Sequence, residues 1–373
     1  MKPKVILINF FVFVILYIFT DIIFSKFIFK QSVDHKCYEH INNGKFYKLK
    51  KNCFANMKLL ANIDSFKVYT DENGFRFSGK KNHEINKKNV IFLGDSQTFG
   101  VGSEWEDTFI GILEKKLNNY NLINLGVPSY SPTVYKYILD NYLKHNSNKI
   151  EKVFLFLDIT DVSDETNRWI EQNKVPELKE GKIIAKQRTS FSRFKKEHFK
   201  GAHLISSKLR NLSRKIRGKF QNKNISIYKP VEGNPTGGFI YTDNEILTGC
   251  NNEDKKTKHW KCKGVEKGVE KIEKNLIEIS KIIKQDDIEF YIMIMPWPDT
   301  INFGQTHFNW ETFAKQLCGK SKCDKLINLF PDFNNIKAKN KNWLRFIYLK
   351  NDIHLTAKGH SLVAKKILVE AFN

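Results

Sequence analysis

The chain has 373 residues, 41% of them hydrophobic, enough for one large domain with insertions or for two domains. Its 62 Lys and Arg against 40 Asp and Glu give a formal charge of +22. That charge suits an anionic surface, but no helix-turn-helix, zinc-finger or aromatic RNA-binding pattern accompanies it, so nucleic acid is not an expected partner.

After Met1-Lys2-Pro3-Lys4 an apolar run extends from Val5 to Thr20, is interrupted by Asp21, and resumes through Ser25. The run is long for a signal-peptide core, and Lys26–Lys30 offers no small-residue cleavage site. Residues 1–30 therefore read as an uncleaved anchor, a single pass through the cytoplasmic membrane. Lysines flank both ends, so charge does not orient it. The six cysteines fall into sequence-local pairs, Cys37 with Cys53, Cys250 with Cys262 and Cys318 with Cys323. Such pairs suit disulfides in an oxidising compartment, which puts the body on the periplasmic or extracytoplasmic side. Free thiols are the second reading. Zinc is the third, because no Cys-x-x-Cys is present and only His259 lies between two of the cysteines. No metal or cofactor is expected.

Residues 31–88 read as a juxtamembrane connector, with an Asp/Asn-Gly turn signal at Thr70–Arg76. Strands and helices alternate from residue 89 to 373. The expected strands are Asn89–Leu93, Asn121–Leu125, Lys152–Leu157, Ile288–Met295 and Leu326–Leu329. The expected helices are Asp107–Leu117, Pro132–His145, Val265–Ile283, Trp310–Cys318 and Ala357–Ala371. Near-continuous apolar strands alternating with helices predict a three-layer α/β sandwich around a five-stranded parallel sheet. Residues 166–262 interrupt the alternation as an insertion. Within it, Phe191–Phe220 carries apolar residues at helical spacing on an otherwise basic background. Such a helix packs on the body with a solvated basic face, lies on a membrane, or binds an acidic ligand.

Asn89–Gly102, NVIFLGDSQTFGVG, begins as a buried strand and breaks at Gly94-Asp95-Ser96. A serine on the turn after a parallel strand stands where α/β proteins bind ligands, outside the carboxyl end of the sheet. Gly94 permits a tight turn, and Ser96 can present its hydroxyl as a nucleophile with its own N–H beside it for an oxyanion. The plain alternative is a serine that caps a helix. Near the other end, Asn351-Asp352-Ile353-His354-Leu355-Thr356 sets a carboxylate and an imidazole just before the last helix, with Thr356 as its N-cap. Pro296-Trp297-Pro298 follows the fourth strand at the same sheet edge. Trp297 either stacks on a sugar face or closes the core. His307 and His360 read as structural.

Together these segments resemble the SGNH, or GDSL-type, hydrolases. Gly94-Asp95-Ser96 with Gly100 resembles the family's first block. Asn124–Tyr130 is similar to the second, Phe154–Asp161 to the third, and Asp352 to His354 to the fifth. The resemblance spans roughly residues 89–161 and 286–371 and implies a flavodoxin-like sandwich. It also implies Ser96 as nucleophile, His354 as base, an oxyanion hole from Ser96, Ser129 and Thr160, and substrate contacts near Asp95 and Gly126. Three positions depart from the family pattern. Ser129 replaces a glycine, Thr160 replaces an asparagine, and Asn351 stands where the acid is usual. The nearest carboxylate is Asp352, two residues before His354, a spacing that occurs in related alginate-type acetyltransferases. Either Asp352 orients His354, or Ser96 and His354 work as a dyad. The expected activity is ester hydrolysis or O-acyl transfer through an acyl-enzyme. Acylated carbohydrate of the cell envelope, or another ester, is the expected substrate. The competing reading is a catalytically degenerate subunit that binds glycan or scaffolds envelope assembly.

Overall fold

A computed structural model of the chain describes residues 3–27, 36–59, 64–80, 84, 86–146, 150–179, 199, 265–284, 287–305, 309–350 and 352–372. Cys250, Cys262, His307, Asn351 and, apart from Phe199, the helix expected over 191–220 lie outside the described residues. The chain divides into two units, residues 1–33 with 185–229, and residues 34–184 with 230–373. In the first, α1 (Pro3–Phe27) runs unbroken through Asp21. Its large apolar side chains are exposed from Val5 to Ile23. The stretch Pro3–Ile23 is long and apolar enough to cross a membrane.

The second unit opens with a hairpin of β1 (Tyr38–Ile41) and β2 (Phe46–Leu49), then β3 (Phe54–Met57), β4 (Phe66–Thr70) and β5 (Arg76–Phe77). The main strands follow as β6 (Lys88–Leu93), β7 (Tyr120–Asn124) and β8 (Ile150–Leu157). A second hairpin, β9 (Trp169–Gln172) and β10 (Val175–Leu178), precedes β11 (Glu289–Ile294) and β12 (Lys325–Asn328). One sheet has the order β12-β11-β8-β6-β7-β5-β4-β3. Its first five members are parallel and coincide with the five expected strands to within two residues. Their order is that of flavodoxin-like folds, which set ligands at the carboxyl ends where the winding reverses, here beside β6. The last three are antiparallel additions from the segment read as connector.

The helices are α2 (Ser96–Phe99), α3 (Phe109–Glu114), α4 (Pro132–His145), α5 (Ile159–Asn167) and α6 (Val265–Ile283). After β11 come α7 (Pro298–Phe303), α8 (Trp310–Ser321), α9 (Phe330–Lys339), α10 (Trp343–Ile347) and α11 (Ala357–Ala371). The central strands read as continuous apolar runs because both faces are buried. Ile91, Leu93, Val153, Leu155, Phe290 and Ile292 face one core with Val134 and Leu139 of α4, Ile272 and Leu276 of α6 and Leu317 of α8. Val90, Phe92, Phe154, Phe156 and Met293 face the other with Phe109 of α3, Phe333 of α9 and Val363 and Ile367 of α11. The helix expected over Asp107–Leu117 is shorter. Trp105–Asp107 forms a 3₁₀ turn, and the Thr108 hydroxyl starts α3 by accepting from the Gly111 N–H at 3.1 Å.

Disulfides join Cys37 to Cys53 and Cys318 to Cys323. The first ties the start of the β1–β2 hairpin to the residue before β3, across 16 positions of sequence. A loop of that length predicts a loss of about 3 kcal/mol when the bond is removed, through the freed unfolded chain. Denaturant unfolding of Cys37→Ala/Cys53→Ala should read that loss. An unchanged midpoint would show that this bond contributes nothing to stability.

Candidate active site

The turn around Ser96 forms because β6 must end against two layers at once. A Cβ on Gly94 would lie 2.1 Å from Thr98 Oγ1 and 3.1 Å from Phe156 Cβ, so the close approach requires glycine. Asp95 then caps α2, its Oδ1 accepting from the Gln97 N–H at 3.0 Å. Gly100, with φ +81°, ends the helix and donates to Ser96 O and Gln97 O at 3.0 and 3.2 Å. Ser96 opens α2, and its hydroxyl donates to Asp95 Oδ2 at 3.2 Å.

The loop after β7 lies against this turn. Asn124 Nδ2 donates to Thr98 O at 3.0 Å, the Gly126 N–H donates to Asn124 Oδ1 at 2.9 Å, and the Val127 N–H reaches Gly94 O at 3.3 Å. Gly126 packs on α2, since a Cβ there would sit 2.7 Å from Phe99 N, and it has no side chain to offer a substrate. Ser129 has φ +63°, the left-handed region that favours glycine. Glycine would adopt this conformation more readily, and serine holds it here.

The loop after β8 is organised by Asp158. Its Oδ1 accepts from both the N–H and the hydroxyl of Thr160, and its Oδ2 from Trp297 Nε1 at 3.3 Å. Asp161 Oδ2 returns a bond to the Asp158 N–H at 2.9 Å, completing a capping box for α5, and Asp161 Oδ1 accepts from Tyr135 at 2.9 Å. Two expectations change here. The Thr160 hydroxyl is committed to the N-cap and does not point its proton at an oxyanion. Trp297 is only 1% exposed, so it closes the core and has no open face for a sugar.

His354 and Asp352 are 6% and 4% exposed. Asp352 Oδ1 takes the His354 N–H at 2.9 Å and also bonds His354 Nδ1. A separation of two residues is sufficient because one carboxylate oxygen serves both the backbone and the ring. His354 Nε2 is buried with no hydrogen-bond partner. Gln97 Nε2 donates to Ile353 O at 3.1 Å, joining the helix that begins at Ser96 to the loop that carries the imidazole. No hydrogen bond links Ser96 Oγ to His354.

Burial pushes the carboxyls of Asp95, Asp158 and Asp161 above their ordinary range, and their mutual repulsion adds to this at Asp95 and Asp161. Burial alone would lower His354. The charge and hydrogen bond of Asp352, with Asp95 and Asp158 behind them, outweigh it and leave the imidazole raised. His360 has no such carboxylate. It lies on the Phe109 ring at 5.9 Å, and burial lowers it to about 3.

Two residues with no sequence signal of their own complete the site. One is Gln97. The other is Arg76, 1% exposed on β5, which donates to Phe99 O and Gly100 O at 2.6 and 2.8 Å and to Ser103 O at 2.7 Å. The Phe66 and Phe99 rings lie 5.2 and 5.0 Å from its guanidinium. Its alternation between Phe75 and Phe77 on a strand is the only hint of inward placement. Among the described residues no cluster of side chains could hold a metal ion.

No family model matches the chain, and no curated protein does. Solved structures similar to it include a member of the lipolytic protein G-D-S-L family from Veillonella parvula DSM 2008, at 12% identity and TM-score 0.40, covering 77% of this chain and 99% of that one. Axe2, an acetylxylan esterase from Geobacillus stearothermophilus, shows 11% identity and TM-score 0.38, covering 77% and 95%. AlinE4, an SGNH-hydrolase family esterase, shows 14% identity and TM-score 0.35, covering 77% and 95%. At these values the likenesses are distant, and the chemistry open to this site is set by its own atoms.

Asp352→Asn should lower the pH at which His354 titrates, read by NMR on histidine-labelled protein. The sign follows from the raised folded-state value: stability from charged His354 is present at low pH and lost as pH rises through that value, and the substitution removes it. An unmoved titration would mean that Asp352 does not set the imidazole's charge. At Ser129, Ser129→Gly should be near neutral in thermal stability, because relief of a left-handed serine of about 1 kcal/mol is offset by glycine's chain entropy. Ser129→Val should be clearly destabilising by the same measurement.

Proposed function

We propose that this protein is a membrane-anchored serine esterase or O-acyltransferase of the SGNH type, working through an acyl-enzyme. The observation that carries the reading is the Asp352–His354 pair, whose buried, unpartnered Nε2 stands on a loop bonded to the helix that Ser96 opens. The Ser96 hydroxyl turns from Asp95 to His354 Nε2 and attacks an acyl carbonyl. The proton passes to Nε2, and the imidazolium is stabilised by Asp352. The N–H groups of Ser96 and Ser129 are the proposed oxyanion donors, each commonly worth about 3 kcal/mol. As the tetrahedral species collapses, His354 returns the proton to the leaving alcohol and an acyl-serine remains. Water then gives hydrolysis, and a sugar hydroxyl gives acyl transfer.

The proposed substrate is an acyl, above all acetyl, ester on cell-envelope polysaccharide. Support comes from the spanning length of α1 and from disulfides that need an oxidising compartment, which together favour a body on the extracytoplasmic side. In this proposal residues 1–30 anchor and 89–373 carry the reacting groups with an insertion at 166–262, while 31–88, read from sequence as a connector, adds strands β3–β5 to the sheet and Arg76 beside the Ser96 turn. The basic segment Phe191–Phe220 is the proposed contact with an anionic surface. A second reading, a glycan-binding or scaffolding subunit without turnover, is favoured by one observation: the hydroxyls of Ser96 and Thr160 are both engaged by neighbouring aspartates.

A fluorophosphonate probe separates the two readings without knowledge of the substrate. Labelling should be lost in Ser96→Ala and His354→Ala, and labelling rate or ester turnover should fall by roughly 10²- to 10⁴-fold in Asp352→Asn. Wild-type protein that takes no label at Ser96 would give the lead to the non-catalytic subunit.

A further inference from the structure

The acid stands one residue closer to the histidine than is usual for the family, so something must hold the Ile353–His354 peptide in the one orientation that lets a single carboxylate oxygen reach both the N–H and Nδ1. The geometry points to Gln97 as that positioning residue. This rests on the catalytic reading of Ser96 and His354, which cites the Gln97 bond only as a link between helix and loop, and gives that bond a function.

The peptide between Ile353 and His354 is bonded at both ends. Its N–H donates to Asp352 Oδ1 at 2.9 Å, and its carbonyl accepts from Gln97 Nε2 at 3.1 Å. Rotation of the peptide would break both bonds and swing the His354 ring off Asp352. The loop is also held by the Leu349 N–H on His354 O at 2.8 Å, the Asp352 N–H on Leu349 O at 3.2 Å and the Thr356 N–H on Ile347 O at 2.8 Å, none of which touches the Ile353–His354 peptide. Gln97 is itself rigid. It is buried, its own N–H is capped by Asp95, and it follows Ser96 directly on α2. Its Oε1 has no partner, so only one amide orientation makes a bond; the flipped amide would set oxygen against the Ile353 carbonyl. A neutral donor suits the position. A cation would compete with His354 for the negative field of Asp95, Asp158 and Asp352, and a shorter amide would not span the gap. Gln97 touches neither the reacting atoms nor the imidazole. It acts through the peptide, as partners of metal- or acid-bound histidines do when they fix ring orientation.

The test uses the full chain in detergent. Gln97→Met keeps length and removes the donor. It should lower kcat on an activated ester by about 10-fold, the usual size for loss of such a supporting contact, with KM within 2-fold. In an Asp352→Asn background the same substitution should lower kcat by less than 2-fold, because the contact it supports is already gone. Equal losses in both backgrounds, or a change in KM alone, would overturn the proposal. A second readout needs no turnover: the low-field Nδ1–H proton resonance of His354, recorded in Ser96→Ala protein. It should move upfield or broaden when Gln97→Met is added, and an unmoved resonance would also overturn the proposal. If wild-type protein shows no Ser96-dependent labelling, the catalytic reading falls, and the resonance alone still decides the role of Gln97. If Gln97→Met does not fold, Gln97→Glu takes its place. Its carboxyl donates to the Ile353 carbonyl when protonated and repels it when ionised, so the His354 resonance should match wild type at low pH and depart from it as pH rises. A resonance that tracks wild type at every pH would count against the assignment.

Discussion

A buried carboxylate is tolerated only where donors meet it, and among the buried ones in the described residues Asp95, Asp158, Asp161 and Asp352 stand in or next to the loops after β6 and β8 and the turn before α11. Left unpaired, each would carry a penalty of several kcal/mol. Asp95 is met by the Gln97 N–H and the Ser96 hydroxyl, and Asp158 by Thr160 and Trp297. Asp161 is met by the Asp158 N–H and Tyr135, and Asp352 by the backbone and ring of His354. Satisfying these oxygens shapes the loops after β6 and β8 and the turn before α11. The same crowding of acids acts on the one titratable base among them. It keeps His354 inclined to hold a proton, which suits the base role proposed for it.

The opposite end of α2 is governed by the opposite charge. The Gly100 N–H meets the carbonyls of Ser96 and Gln97, but those of Phe99 and Gly100 at the finish have no partner within so short a helix. Arg76 reaches them from a strand that belongs to none of the parallel units. A carboxylate at the start and a guanidinium at the finish both match the helix dipole. The antiparallel extension of the sheet is therefore tied to the Ser96 turn, and Ala55, Met57, Phe66 and Val68 of its strands share a core with the parallel strands.

Much of this was legible because it depends on burial on two faces or on short local motifs. The five parallel strands announced themselves as unbroken apolar runs, and the turn around Ser96 by its glycines. The strands β3, β4 and β5 did not, since strands of two to five residues alternate too briefly to stand out from loops. The placing of the Thr160 hydroxyl and the choice between the two readings of Trp297 escaped the sequence for a common reason. Each residue has a polar atom whose partner is Asp158, and a sequence does not show which nearby acid will claim a hydroxyl or an indole. Gln97 and Arg76 were invisible for a different reason: their partners are backbone carbonyls, and any residue has one.

The bond from Gln97 to Ile353 closes a loop of 256 residues, long among the non-local contacts that slow folding. During synthesis the serine, its turn and the three central strands are all made before the imidazole exists. On the proposed mechanism the half-built chain holds a nucleophile without a base, and the base arrives with the segment that completes the second helical layer. Reactivity would in this way be bound to completion: an interrupted chain would carry an inert serine.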